Sequence, residues 1–596
     1  MTTVYDIETL TNFFSYVDFD INTKELFTFY IFEKGDISPL KEHLKKVKGQ
    51  IGFNNINFDY PVLDVILKQN KKIVNANDIY KSAQEIINKQ YSKVFNPKIV
   101  QLDLYRIHHF DNLAKATSLK AVQIALNWHN VLDMPIKHYI PITEDQISTI
   151  IDYNINDVMS TYEFYLKSKE EIELRKELTI STKLDLLNEN DPSIGSKIFL
   201  DFISKALKIH PKQVESLRTH RKQINFGEII FDYIKFDSDY FNEFLNVLKK
   251  TKIKNTKGEF NHSLIYKDFK YDLGTGGIHG CTSKGVYSNN KEQIIDIDVS
   301  SFYPNLAIYN NLYPEHLNKE FLNIYLDVYN TRKKYPKGSA LNGAYKLMLN
   351  GVYGKSNSEY SYFYDPKYTM SITINGQLLI LWLSEKLANI SKILQVNTDG
   401  VTIQTNNVDE VMNICKEFEK LTKLELEFAH YSKMVIRDVN NYLAVPVEGK
   451  IKHKGLFLTK KEWHKDHSFL IIPIALEKYF VENIPVEETI RNHKNIFDFC
   501  GTLKANSGYK CYMHSMIKGE FKQEELQKTN RFYVSNKGGY LLRENEGKVI
   551  AFLKKKAVTI FNKYEKGPYD INYNFYIAEC KKWIYTILGN EIIKIK

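Results

Sequence analysis

Cysteine is scarce: five residues in 596 (Cys281, Cys415, Cys500, Cys511 and Cys580), with no CxxC pair among them. An odd number without paired spacing argues against a disulfide framework or a structural zinc and fits a reducing compartment. No apolar run reaches the length of about 18 residues that a membrane span requires. The opening MTTVYDIETL places no basic segment ahead of an apolar one, so it does not read as a signal peptide. Repeats and low-complexity tracts are also missing. The charge excess, +10 over the whole chain, is small and only points toward a polyanionic partner. What is present is ordinary globular composition, 43% hydrophobic and 26% charged, at a length of about four domains. Tyr and Lys are abundant. The expectation is a soluble, multidomain, cytoplasmic protein with no membrane partner.

A strand begins almost at once, at Thr3–Ile7. Apolar runs then alternate with helical patterns to about Tyr165, which suggests an α/β layer. The charged helical stretch Glu170–Lys176 and the polar loop Asn188–Ser193 mark a boundary. A second region follows Gly274-Thr275-Gly276-Gly277, with a strand at Gln293–Val299, helical patterns near Asn318–Lys333 and Ser339–Tyr353, and a hairpin around Asn397–Gly400. Beyond Ile471 the chain is helical at first, then mixed, basic and Tyr-rich.

Asp6 and Glu8 lie two apart on the first strand, so both side chains leave the same face. Asp59 closes the loop Asn54–Asp59, and Tyr153 and Asp157 stand four apart on one helical face. Singly, each has a bland reading: a solvated strand face, an Asx turn, a polar helix face. Together, four carboxylates and a phenol from three elements are what a two-cation nuclease requires, with Mg²⁺ ions about 3.5–4 Å apart held by oxygen ligands. Tyr153 would orient the attacking water. The order and local contexts resemble the DEDD-type 3′–5′ exonuclease domain of family B DNA polymerases, with its DxE strand, Nx₃(F/Y)D loop and Yx₃D helix. The resemblance implies that Asn54, Ser118 and Leu119 touch the single-stranded primer end, although Ser118-Leu119-Lys120 is equally an ordinary helix start.

In the middle, Ile294–Val299 alternates aliphatic and acidic residues and runs into Ser300-Ser301-Phe302-Tyr303-Pro304. This resembles the DxxSLYP motif of the family B palm, with Phe302 in the Leu place. Lys346, Asn350 and Tyr353 form one helical stripe that resembles Kx₃NSxYG, with Gly351 where Ser is usual. Asn397-Thr398-Asp399-Gly400 between two β-prone runs reads as a hairpin with its acid at the tip. It resembles YxDTD, with Gln395 for Tyr and Asn397 for the first Asp. By resemblance, Asp298, the adjoining Val299 and Asp399 hold two Mg²⁺ (Mn²⁺ as a substitute), and Tyr303 is a steric gate against ribonucleotides. Lys346, Asn350, Tyr353 and Ser301 would bind the nucleotide. Arg332, with Lys333 and Lys334, is either a further phosphate contact or part of a solvated charge run.

DNA-holding candidates are Gly276 and Gly277, where a YxGG-type loop would fall, Thr398, Tyr442 from a KxY-like element in which Asn440 lacks the charge, and Lys454. A flexible linker and a solvated edge strand remain the plain alternatives for the glycines and Lys454. Basic and aromatic residues interleave at Lys528–Tyr533 and Lys563–Lys566, which suits a surface tracking the DNA backbone. The resemblance implies an RNase H-like exonuclease (1–175), a connecting region (176–285), a palm (286–322 and 367–470), fingers (323–366) and a thumb (471–596), in a mixed α/β and α+β multidomain fold.

The implied function is primer-dependent DNA synthesis with proofreading, for phage or viral genome replication in the host cytoplasm. Protein-primed relatives carry insertions between the DxxSLYP, Kx₃NSxYG and YxDTD motifs, and this chain has no room for them. Expected partners are therefore a nucleic-acid primer–template, dNTPs and other replication proteins (a single-strand binding protein, helicase or processivity factor), with the chain itself a monomer. The rival readings are a DNA-binding 3′–5′ exonuclease with an impaired palm and a self-starting primase-polymerase.

Overall fold

Two arrangements of strands dominate the computed structural model, which describes residues 1–89, 97–505, 508–517 and 520–589. The chain divides into two units, and neither is continuous in sequence. The first gathers Met1–Asn190, Lys460–Ile471 and His493–Tyr576; the second gathers Asp191–Thr459, Ile472–Asn492 and a C-terminal portion from Ile577. The division after Asn190 falls within the polar stretch read as a loop, but Asp191-Pro192-Ser193 already opens a helix, Asp191–Leu207. Pro just inside a helix start explains this, since its missing N–H would have had no partner there.

In the first unit, Thr2–Leu10 is the middle strand of a five-stranded sheet. Phe13–Asp20 pairs with it antiparallel, and Leu26–Phe32 pairs antiparallel with that strand in turn. On the other side, Gly49–Gly52 and then Val100–Asp103 add in parallel. Alternation along the first strand sends Tyr5 and Ile7 into one core with Leu63 and Ile66 of helix Asp59–Lys68. Val4 enters a second core on the opposite face, with Val158 and Phe164 of helix Ile147–Lys167. Asp6 and Glu8 share the Val4 face and so look toward that helix. The C-terminal part of the unit is a six-stranded sheet built around the long strand Thr529–Asn545.

The second unit is organised by a ten-stranded, antiparallel sheet. At its centre Gln293–Val299 lies between Gly400–Thr405 and Leu426–Asp438. Lys392–Asn397 and Gly400–Thr405 form the expected hairpin, with Asn397 opposite Gly400 and Thr398-Asp399 as the turn. Gly274–Gly277 is also a hairpin turn, joining Phe269–Gly274 to Gly277–Cys281. Helix Pro366–Leu387 is buried along almost its whole length. Asp365 caps it, accepting from Lys367 N–H, and Pro366 occupies its first turn. Helices Phe302–Tyr309, Glu320–Lys333 and Ala340–Lys355 complete the surroundings of the central strands. The last runs through Gly354, so that glycine does not end it. No helix among the described residues is long and apolar enough to cross a membrane.

Arg531 corrects one expectation. Its stretch was read as a surface for DNA, yet the side chain is 1% exposed. Its guanidinium donates to the carbonyls of Phe561 at 2.7 Å, Trp128 at 2.8 Å and Asn562 at 3.1 Å. A buried cation with three of its five donors on backbone carbonyls is a fastener within the first unit, and at 1% exposure it is out of reach of a phosphate. Arg531→Leu is therefore expected to lower the unfolding free energy by about 3 kcal/mol, read by urea denaturation. A change under about 0.5 kcal/mol would contradict this account.

Candidate active sites

The antiparallel register sets Asp298 opposite Gly400 on one side and opposite Glu427 on the other. A Cβ on Gly400 would sit 2.0 Å from Asp298 Oδ1, so only glycine leaves room for that carboxylate. Val299 N–H donates to the Asp399 carbonyl at 2.8 Å, fastening the end of the strand to the hairpin turn. Asp298 and Asp399 thus face one cavity of about 530 Å³, which Val299, Ser301, Arg332, Lys346 and Asn350 also line. Seven of the residues singled out in the sequence meet there.

Ser301 adopts a left-handed backbone (φ 46°) ahead of helix Phe302–Tyr309. Its Oγ accepts a hydrogen bond from Arg332 Nη1 at 3.3 Å, so Arg332 is directed at the cavity and is not part of a solvated run. Lys333 lines the same cavity, where its ammonium lies 3.7 Å from Glu425. Lys346 makes no ion pair among the described residues. Tyr303 packs against Tyr353 with ring centroids 4.5 Å apart and the rings tilted by 50°, and the Tyr353 hydroxyl meets Thr373 Oγ1 at 2.8 Å. Burial, then Tyr353 and Asp399, raise the Tyr303 hydroxyl above its ordinary pKa, so it stays neutral.

Burial, then Asp296 and Asp399, push the Asp298 carboxyl up to about 7, against an opposing effect of Lys452. Neither Asp298 nor Asp399 pairs with a lysine or arginine among the described residues. Crowded carboxylates with no lysine or arginine in direct contact among the described residues fit a hard divalent cation, whose oxygen ligands they would supply. Glu425 and Glu427 line the same cavity and were missed in the sequence. Their signal was available, because Leu424-Glu425-Leu426-Glu427 alternates as Ile295–Asp298 does.

A second cavity of about 260 Å³ is bounded by the same two aspartates together with His279, Thr398, Tyr442 and Lys454. Thr398, Tyr442 and Lys454 are therefore gathered as the sequence suggested. Gly277 (φ 137°) lies against Thr398, where a Cβ would stand 2.7 Å from Oγ1. That glycine is accounted for by packing on the hairpin turn, whereas Gly276 is exposed with open space around it.

In the first unit, carboxylate oxygens of Asp6, Glu8 and Asp157 come within 4.8 Å of one another. Burial and then Asp59 raise Asp6 well above the usual carboxylate range; burial and then Asp157 do the same to Glu8. Asp59 stands outside this trio, with Oδ1 accepting the Ile7 N–H at 3.4 Å, and burial pushes its carboxyl up to about 7. Asp157 is not an open ligand as it stands: Lys120 Nζ lies 2.6 Å from both of its oxygens, and Gln123 Nε2 is 2.9 Å from Oδ1. The same ammonium sits 4.4 Å over the Tyr153 ring, and Tyr153 is buried, its hydroxyl raised by burial and by Asp157. Three carboxylates balanced by one lysine still carry excess negative charge, which fits a divalent cation.

Ser118 is exposed and its Oγ accepts from Ala121 N–H at 3.3 Å, capping the helix Leu119–Ala125 that aims Lys120 inward. Ser118 and Leu119 therefore follow the ordinary helix-start reading locally, and Lys120 is the residue of that stretch that reaches the site. Asn54, in left-handed backbone (φ 65°), donates its N–H to Asp103 Oδ1 at 2.8 Å. Ile56 N–H donates to Oδ2 of the same aspartate at 3.3 Å. Asp103 thus shapes the Asn54–Asp59 loop from a strand end, a role with no local signal in sequence.

No protein-family profile matches the chain. Among solved structures, the family B DNA polymerase from the hyperthermophilic archaeon Pyrobaculum calidifontis is similar at 13% identity and a TM-score of 0.44, over 99% of this chain and 78% of that one.

The raised carboxyls set a pH dependence. In the cation-free protein, Asp59 and Asp298 hold their protons up to about 7, whereas an unfolded aspartate loses its proton near about 3.9. The native state binds more protons between these values, so the stability these two groups contribute is full below about 4 and is lost as pH rises through about 7. The melting temperature is expected to fall between pH 5 and pH 8 without metal, and Mg²⁺ to restore more of it at pH 8 than at pH 5. Equal Mg²⁺ shifts at both values would contradict this electrostatic picture. Gly400→Ala is expected to cut the Mg²⁺ shift at pH 8 by displacing the Asp298 carboxylate; an unchanged shift would show that the close approach is not needed.

Proposed function

We propose that the chain is a DNA-templated DNA polymerase that extends a nucleic-acid primer with dNTPs and trims mismatched 3′ ends, serving genome replication of a phage or virus. The observation that carries the reading is the single cavity shared by Asp298, Asp399, Arg332, Lys346 and Asn350. Carboxylates and cations lining one cavity suit a triphosphate and a primer hydroxyl brought together. The strand order of the first unit, three antiparallel strands followed by two parallel ones, supports an RNase H-like exonuclease layer.

In this reading the primer 3′-oxygen attacks the α-phosphorus of the dNTP and pyrophosphate leaves. Arg332, held by Ser301, and Lys346 bind the triphosphate oxygens, and Asn350 walls the base. Tyr303, fixed against Tyr353, occupies the space a ribose 2′-hydroxyl would need. Asp298 and Asp399 would hold Mg²⁺, which would supply charge neutralisation for the primer hydroxyl and the triphosphate. In the exonuclease, Asp6, Glu8 and Asp157 offer the cation ligands with Asp59 behind them. Lys120 neutralises Asp157 and neighbours Tyr153, which orients the hydrolytic water.

Primer extension and degradation on one labelled duplex test both activities. Asp298→Ala is expected to lower extension at least 1,000-fold (about 4 kcal/mol) and leave 3′ digestion in place. Asp6→Ala combined with Glu8→Ala should do the reverse. Unchanged activity of Asp298→Ala would favour an exonuclease with an idle palm, and products on unprimed strands would favour a primase. Tyr303→Val should raise ribonucleotide incorporation, measured as the rNTP to dNTP ratio of kcat/KM.

A further inference from the structure

We propose that Asp296 and Lys452 form a charge pair that grips a phosphate of the primer strand beside Asp298 and Asp399, in place of two charges absent at Asn397 and Asn440. The inference rests on the polymerase reading above and assigns the occupant of the smaller cavity. Three departures from the motifs that the sequence resembles, Gln395, Asn397 and Asn440, gather in one place. Asn397 and Asn440 both line the cavity of about 260 Å³. Gln395, 1% exposed, donates from Nε2 to the Val439 carbonyl at 3.1 Å and so fixes the turn that carries Asn440. The acid missing at Asn397 and the base missing at Asn440 are therefore missing from the lining of one cavity.

The same lining contains an acid and a base from other strands. Asp296 lies two residues before Asp298 on the same face, and Lys452 reaches it from the short strand Lys452–His453. Lys452 Nζ is 3.1 Å from Asp296 Oδ2, and the Tyr431 hydroxyl donates to that same oxygen. Thr402 Oγ1 donates to Oδ1 at 2.6 Å. Both Asp296 oxygens are thus committed, and Asp296 serves as a positioning residue for the lysine. Lys452 is different: its side chain is 49% exposed, and its ammonium rests 5.2 Å over the Tyr431 ring. An ammonium has three donors, and Asp296 is its one carboxylate partner among the described residues. The remaining donors suit a phosphodiester, and Lys454, two residues on, lines the cavity too.

Binding of a labelled primer–template to the full chain, followed by fluorescence anisotropy without nucleotide across a salt series, tests the pair. Lys452→Ala is expected to weaken binding about tenfold and to reduce the slope of log affinity against log salt by about 0.9, the signature of one lost phosphate contact. Lys452→Arg should keep both, and Asp296→Asn should weaken binding in the same direction by less. Asn440→Lys placed in the Lys452→Ala chain should restore affinity and slope, which a packing role for Lys452 would not permit. Wild-type affinity and slope in Lys452→Ala, or a loss that Asn440→Lys leaves unrepaired, overturns the proposal. A wild-type chain that binds primer–template yet extends no primer would sink the polymerase reading separately, since the anisotropy measurement needs no turnover.

Discussion

Like charges have to be held together before they can hold anything else. In the second unit that work falls to backbone pairing: ladder bonds on both sides of Gln293–Val299 fix Asp298 between Gly400 and Glu427. Val299 is tied to the Asp399 carbonyl. A shift of one residue would turn Asp298 to the opposite face and separate it from the hairpin acid. Gly400 is the sequence cost of that register, because any side chain there would collide with the carboxylate. Arg332, Ser301 and Lys346 then find their places around a pair whose position is already decided.

The two acidic sites solve the same electrostatic problem differently. In the first unit the crowding of Asp6, Glu8 and Asp157 is relieved by an internal lysine, Lys120, bound to both oxygens of Asp157. In the second, no such lysine touches Asp298 or Asp399 among the described residues, and the cations Arg332 and Lys346 line the same cavity. A site with its own ammonium has part of its charge balance built in, whereas the other depends on what enters from solution.

Much of this was legible in the sequence where spacing encodes geometry. A period of two placed Asp6 with Glu8, a period of about four placed Tyr153 over Asp157, and Asn-Thr-Asp-Gly between β-prone runs gave a true hairpin. What was hidden depends on contacts distant along the chain. Asp103 shapes the Asn54 loop from the neighbouring strand, and Lys120 joins Asp157 only once two helices pack. Arg531 resembles a surface cation until the carbonyls of Trp128 and Phe561 close on it. Glu425 and Glu427 had the pattern of Asp296 and Asp298 but no neighbouring signature to single them out. The six-stranded sheet around Thr529–Asn545 was illegible for a similar reason: its strands are interrupted by turns and share no single periodicity.

The discontinuity of the first unit bears on how the protein is made. Its N-terminal sheet is translated well before its other portions, Lys460–Ile471 and His493–Tyr576. Most of the second unit, Asp191–Thr459, lies between them. A nascent chain therefore has an opportunity to assemble the central sheet while the earlier one still lacks its C-terminal complement. Termination near residue 490 would remove Arg531 together with Phe561 and Asn562 and leave the Trp128 carbonyl without its guanidinium, even though every carboxylate of both acidic sites had already been synthesised.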